Sequence, residues 1–148
     1  REGRALERRL DAPMPRVALG IALRGIAHSA IDVSDGLLAD LGHICERSRV
    51  AAVIEWESLP AAPFVRAQAQ RTDAAVRAIL AGGDDYELCF TASPRRRATV
   101  VAPGRRARTQ VMLIGRITPR RRNAAPVEVR DSVGKPMRVR RPGYDHFR

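Results

Sequence analysis

The densest set of chemically capable side chains is Ile31-Asp32-Val33-Ser34-Asp35-Gly36. Two carboxylates and a hydroxyl within four positions are hard oxygen donors of the kind Mg²⁺ prefers. If residues 30–34 form a strand, Asp32 and Ser34 point to one face and Asp35 sits at the strand exit, just before the next helix. A helix N-terminus there would offer N–H groups and a positive dipole end to phosphate. Gly36 would let the backbone turn or approach a ligand closely. The competing explanation is local: Ser34 or Asp35 caps the helix that follows. Spacing alone favours the cap.

A second acidic set follows paired glycines, in Gly82-Gly83-Asp84-Asp85-Tyr86-Glu87-Leu88. In a strand, Asp85 and Glu87 share one face and Tyr86 and Leu88 the other. A glycine C-cap followed by an ordinary strand with a wet polar side explains the same residues. A third feature is the terminal Gly143-Tyr144-Asp145-His146-Phe147, where two aromatic side chains could stack on a planar ring or dock the tail. His43 and His146 lack the partner spacing of a metal site, and His28, near the helix end at 30, reads as a cap or surface residue. Cys45 and Cys89 form no C-x-x-C pair, so both read as buried free thiols of a reducing cytoplasm.

The elements that must carry these residues follow from periodicity. Leu19, Ala22, Leu23, Ile26 and Ala27 fall on one helical face over residues 15–30, with Pro15 suited to the first turn. Residues 30–34 read as a short strand and Leu37, Leu38, Leu41, Ile44 and Cys45 as the inner face of a helix over 36–48. Residues 51–56 form a strand, and Pro60 and Pro63 mark a loop. Thr72 caps a helix whose Val76, Ile79 and Leu80 face inward, and Gly82-Gly83 ends it. Residues 84–91 alternate as a strand. Pro94 opens a helix that Pro103-Gly104 cuts short. The run 111–117 is a buried strand, and 127–130 and 137–140 flank a turn as a hairpin. Helices and strands mix without strict alternation, which predicts an α+β fold.

The 148 residues suit one domain, and no run approaches the ~18 apolar residues of a membrane-spanning helix. The net charge of +11 is uneven: residues 1–90 carry 11 basic and 13 acidic side chains, residues 91–148 carry 16 and 3. A cationic half raises a nucleic-acid reading. Against it, 26 of the 27 basic residues are Arg and only Lys135 is Lys. Selection for charge alone would accept both. The runs Arg95-Arg96-Arg97, Arg105-Arg106 and Arg120-Arg121-Arg122 have no interleaved aromatics, and no helix-turn-helix, RNA-recognition or zinc-finger pattern occurs. The sequence starts at Arg1, as a processed product or fragment would, and REGRALERRL lacks the apolar segment of a signal peptide.

Four motifs in order, A-x-I-D-V-S-D-G-L at 30–38, A-G-G-D-D-Y-E-L at 81–88, I-G-R-I at 114–117 and G-Y-D-H-F at 143–147, resemble the thiamine-monophosphate kinase family. That family lies in the superfamily of aminoimidazole-ribonucleotide synthetase and selenophosphate synthetase. The resemblance covers almost the whole chain and matches the family's C-terminal domain, a mixed β-sheet with helices packed on it. It implies ATP-dependent phosphorylation of thiamine monophosphate to thiamine diphosphate with Mg²⁺, by direct transfer without a phosphoenzyme. It implies that Asp32 and Asp35 bind Mg²⁺, that Ser34 contacts ATP, and that Glu87 and Tyr144 contact the thiamine substrate, with Phe147 the second choice for the aromatic role. It further implies a cytoplasmic homodimer. Its N-terminal domain, which holds most metal and nucleotide ligands, would lie outside residues 1–148, leaving this chain inactive or nearly so alone. The Arg-rich, Pro-interrupted stretch 94–110 departs from the family's long helix. The alternatives are a basic nucleic-acid-binding module and another ATP-dependent synthetase of the superfamily, against which the G-Y-D-H-F ending speaks.

Overall fold

The computed structural model describes residues 14–83 and 86–137. A short helix α1 (Val17–Ala22) precedes strand β1 (Ala27–Val33). The helical periodicity predicted across 15–30 is therefore cut. Gly25, at φ +72, turns the chain after Leu23, and Ala27 onward pairs as a strand. Helix α2 (Leu37–Ser48) and strand β2 (Val50–Glu55) follow, joined by Arg49 in the left-handed region (φ 55). Next come α3 (Pro63–Ala69), α4 (Asp73–Ala81), β3 (Glu87–Ala92), α5 (Val101–Arg106), β4 (Gly115–Pro119) and β5 (Val127–Arg130). The predicted α+β class holds.

Two sheets flank α2. In the first, β1 pairs antiparallel with β3; in the second, the order is β4-β2-β5, with β2 antiparallel to β4 and parallel to β5. Helix α2 turns Leu38, Leu41, Ile44 and Cys45 into the core, as its period requires. They meet Val33 and Cys89 of the first sheet, Ala52, Ile54 and Val129 of the second, and Leu80 of α4. Ile54, Leu80 and Cys45 are the most completely buried large side chains. Thr72 caps α4 as predicted, its hydroxyl accepting from the Ala75 N–H at 3.3 Å.

Three further expectations change. Pro103-Gly104 does not break a helix but lies inside α5. Pro103 occupies the first turn, where a missing N–H leaves no helical bond unmade. Residues 94–96 form a separate 3₁₀ turn. The run 111–117 is not a buried strand: pairing begins only at Gly115, and Met112, Leu113 and Ile117 are 41%, 59% and 41% exposed. The predicted hairpin is present in its first half. Arg130 bridges Pro136 and the Met137 N–H donates to the Val129 carbonyl at 2.9 Å. Residues 138–140 lie outside the described residues. The arginine runs at 95–97, 105–106 and 120–122 are exposed, as surface charge. No helix among the described residues is long and apolar enough to cross a membrane.

Candidate functional site

Asp32, Ser34 and Asp35 are carried by the end of β1 and the turn into α2. Strand alternation leaves Asp32 exposed and Val33 buried. The turn itself half-buries Ser34 and Asp35. The helix N-cap is Gly36, which has no side chain, so neither Ser34 nor Asp35 occupies the capping position that spacing favoured. Instead, one carboxylate oxygen of Asp40, Oδ2, accepts from two successive backbone amides. These are Ser34 N–H at 3.0 Å and Asp35 N–H at 3.1 Å. Asp40 is 2% exposed and is the buried charged side chain of the described core. A buried carboxylate costs several kcal/mol unless hydrogen-bonded, so this bond pair both satisfies Asp40 and holds the turn.

The second acidic motif meets the first by backbone contact. Gly36 has φ 107 and ψ 149, a region essentially confined to glycine. A Cβ there would stand 2.8 Å from the Cα and carbonyl carbon of Ala81. A Cβ on Gly83 would stand 2.4 Å from the carbonyl oxygen of Ser34. The Tyr86 N–H then donates to the Val33 carbonyl at 3.0 Å, opening the β1–β3 ladder. Gly82 does not adopt the left-handed C-cap conformation; its φ is −70. Of the pair, Gly83 serves close approach between the two turns, whereas a Cβ on Gly82 would meet the Ala78 carbonyl of its own helix. Tyr86, at φ 48, starts the segment, so β3 begins at Glu87 and not at residue 84. Asp84 and Asp85 lie outside the described residues.

Glu87 is placed by a partner that sequence reading missed. Arg16, just before α1, donates Nε–H to Oε2 at 2.9 Å and an Nη2 hydrogen to Oε1 at 2.7 Å. This two-pronged bond to the carboxylate raises the Arg16 pKa above its ordinary value, against the opposing effect of partial burial. The register sets Asp32 across from Leu88 and Glu87 across from Val33. Alternation then sends the Asp32 and Glu87 side chains from opposite faces of the ribbon. The metal and substrate candidates thus share one end of the ribbon but not one face. Tyr144 and Phe147 lie outside the described residues.

Cys45 and Cys89 are buried and free, as expected. Burial pushes both thiols up, Cys89 to about 11. Neither is a nucleophile near neutral pH. Among the described residues, no group of three or more His, Cys, Asp or Glu side chains is arranged to hold a metal ion. The carboxylate oxygens of Asp32 and Asp35 are hard donors of the type that Mg²⁺ takes, and two such residues alone would not complete its shell. Two clefts, of about 290 and 460 Å³, are lined by other segments, Val101–Val111 and the β1–α2 flank around Ile31, His43 and Arg47.

Comparison with known proteins shows which relatives the chain resembles. The chain is 42% identical over 144 residues to the thiamine-monophosphate kinase of Haemophilus influenzae, covering 97% of this chain and 43% of that protein. The crystal structure of thiamine-monophosphate kinase from Stenotrophomonas maltophilia K279a superposes with a TM-score of 0.74 at 46% identity, over 84% of this chain and 38% of that one. AaThiL, solved in complex with AMPPCP and TMP, superposes at 0.69 with 29% identity, over 97% of this chain and 41% of that one. The chain thus spans less than half the length of these relatives. Residues 4–128 match the family described as AIR synthase related protein, C-terminal domain, and the chain belongs to that family.

Proposed function

We propose that this chain is the C-terminal domain of a thiamine-monophosphate kinase, transferring the γ-phosphoryl group of ATP to thiamine monophosphate. The observation that carries the reading is the interlock of the two turns, Gly36 against Ala81, Gly83 against the Ser34 carbonyl and the Tyr86 N–H on the Val33 carbonyl. It brings the backbones of two motifs distant in sequence together at one end of the β1–β3 ribbon. Relatives of 38–42% identity bear the name of that kinase. The AaThiL complex with AMPPCP, an ATP-shaped analogue, and TMP supports both substrates.

In this reading Asp32 and Asp35 hold Mg²⁺, and Ser34 contacts ATP. Glu87 contacts the thiamine substrate, and Tyr144 lies against its ring. Bound Mg²⁺ would supply charge neutralisation for phosphate oxygens, the main requirement of phosphoryl transfer. The Asp40-bound turn holds Ser34 and Asp35 in place, so their positioning is paid before substrate arrives. Arg16 orients the Glu87 carboxylate through its two hydrogen bonds. A companion N-terminal domain completes the site, the enzyme works as a homodimer, and its compartment is the cytoplasm, where two buried free thiols stay reduced. No phosphoenzyme forms.

The test is a turnover assay with ATP, Mg²⁺ and thiamine monophosphate, run on the chain alone and with a supplied N-terminal domain of the Haemophilus influenzae relative. Turnover is expected only for the combination. Robust turnover by the chain alone overturns the need for a companion domain. No turnover by the combination, with both parts shown folded, overturns the kinase reading.

A further inference from the structure

Asp40 belongs to no acidic motif, yet it is more buried than any other charged side chain described. It sits in the first turn of α2, a region where an exposed carboxylate would already be favourable through the helix dipole. Burial adds a cost that only a structural return can offset. The return is specific: a single oxygen receives both amides of the Ser34–Asp35 segment. Those two residues carry the hydroxyl and carboxylate assigned to nucleotide and metal. Without the acceptor, two half-buried N–H groups lose their partner and the turn is free to rotate. Contact with Ala81 and Gly83 constrains the turn from outside, but it presses on Gly36 and the Ser34 carbonyl, not on these amides.

We propose that Asp40 is a positioning residue of the divalent-cation site: its Oδ2 fixes the Ser34–Asp35 backbone so that the Asp35 carboxylate is presented to the cation. The inference rests on the metal role of Asp32 and Asp35 proposed above. It assigns the work to an acceptor oxygen and not to the charge of Asp40. Asn offers a carbonyl oxygen at the same reach, whereas Leu, of similar size, offers none.

The experiment titrates the isotopically labelled chain with MgCl₂ alone and follows the backbone amide resonances of residues 31–36. The unsubstituted chain is expected to show saturable shifts there. Asp40→Leu should weaken the apparent Mg²⁺ affinity about tenfold or more, while Asp40→Asn stays within about threefold, in the range that outer-sphere partners of metal ligands command. Ile44→Ala, which loosens the core in the C-terminal half of α2, should leave the affinity unchanged and so separates positioning from general destabilisation. Unaltered affinity in Asp40→Leu overturns the proposal, as does an equal loss in Asp40→Asn. If Asp40→Leu does not fold, Asp40→Ser, whose hydroxyl is too short to reach both amides, is read by the same criterion. Loss of the shifts in Asp35→Asn with Asp40→Leu unaffected sinks this inference alone. Absence of any saturable shift in the unsubstituted chain overturns the metal role itself, and the inference with it.

Discussion

Replacing Gly36 by Ala tests whether the two acidic turns are joined by backbone contact. Gly36 sits at φ 107, ψ 149, a conformation that costs a non-glycine residue on the order of 1–3 kcal/mol. The new methyl would also lie 2.8 Å from two backbone atoms of Ala81. Backbone cannot swing aside as a long side chain can, so the turn or α4 must shift, at a further cost of roughly 1–3 kcal/mol. The combined loss is about 4 kcal/mol, a large part of the 5–15 kcal/mol typical of a domain. At roughly 3 °C per kcal/mol, Tm should fall by about 12 °C. Gly25→Ala provides the comparison. Its φ is +72 but nothing lies within 4 Å of the added Cβ, so only the conformational cost of about 1 kcal/mol applies. Urea and thermal unfolding followed by circular dichroism measure both variants. A Gly36→Ala chain no less stable than Gly25→Ala would refute the interlock.

Three other outcomes follow from the same coordinates. Cys89 keeps its proton up to about 11 when folded, against 9.0 when exposed. The stability it contributes is intact below pH 9.0 and lost as pH rises to about 11, by roughly 2–3 kcal/mol at ~1.4 per unit. Thermal melts of Cys89→Ala should be flatter across that window, and an unchanged slope would show that another group titrates. Leu80→Ala, at a side chain with 0% exposure, should cost about 2–5 kcal/mol in urea unfolding; a loss below about 1 kcal/mol would mean that α4 is not part of the core. A double-mutant cycle on Arg16 and Glu87 should give a coupling of about 1 kcal/mol, because the two-pronged geometry is good but the side chains are 24% and 37% exposed. Zero coupling at low salt would remove Arg16 as the residue that orients Glu87.

Elements whose signal is local were legible from the residue order. The apolar period of α2 and the Thr72 cap depend on neighbours three or four positions away, and both stand as expected. The motif at 31–36 displayed its oxygen donors by residue type, while spacing alone favoured a helix cap that Gly36 occupies instead. Misreadings arose where a long-range partner decides. The apolar run at 111–117 could not reveal that pairing starts only at Gly115, because β2 supplies the ladder from some 60 positions away. The helical face over 15–30 ended early because β3 recruits Ala27–Val33 into a ribbon. Asp40 was not singled out by the residue order; the one available signal was a carboxylate in a helix first turn just after a strand-to-helix corner.

The sequence by itself determined the helix periods, the acidic composition of two turns and the charge imbalance, since these are written in adjacent residues. Only the tertiary structure decided that the glycines at 36 and 83 serve contact between turns, that Arg16 holds Glu87, and that Asp40 is buried beneath Ser34 and Asp35. Each of these joins groups whose meeting requires the chain to fold back on itself. A close approach of backbone, or a carboxylate turned inward to two amides, leaves no period or composition for a linear reading to detect.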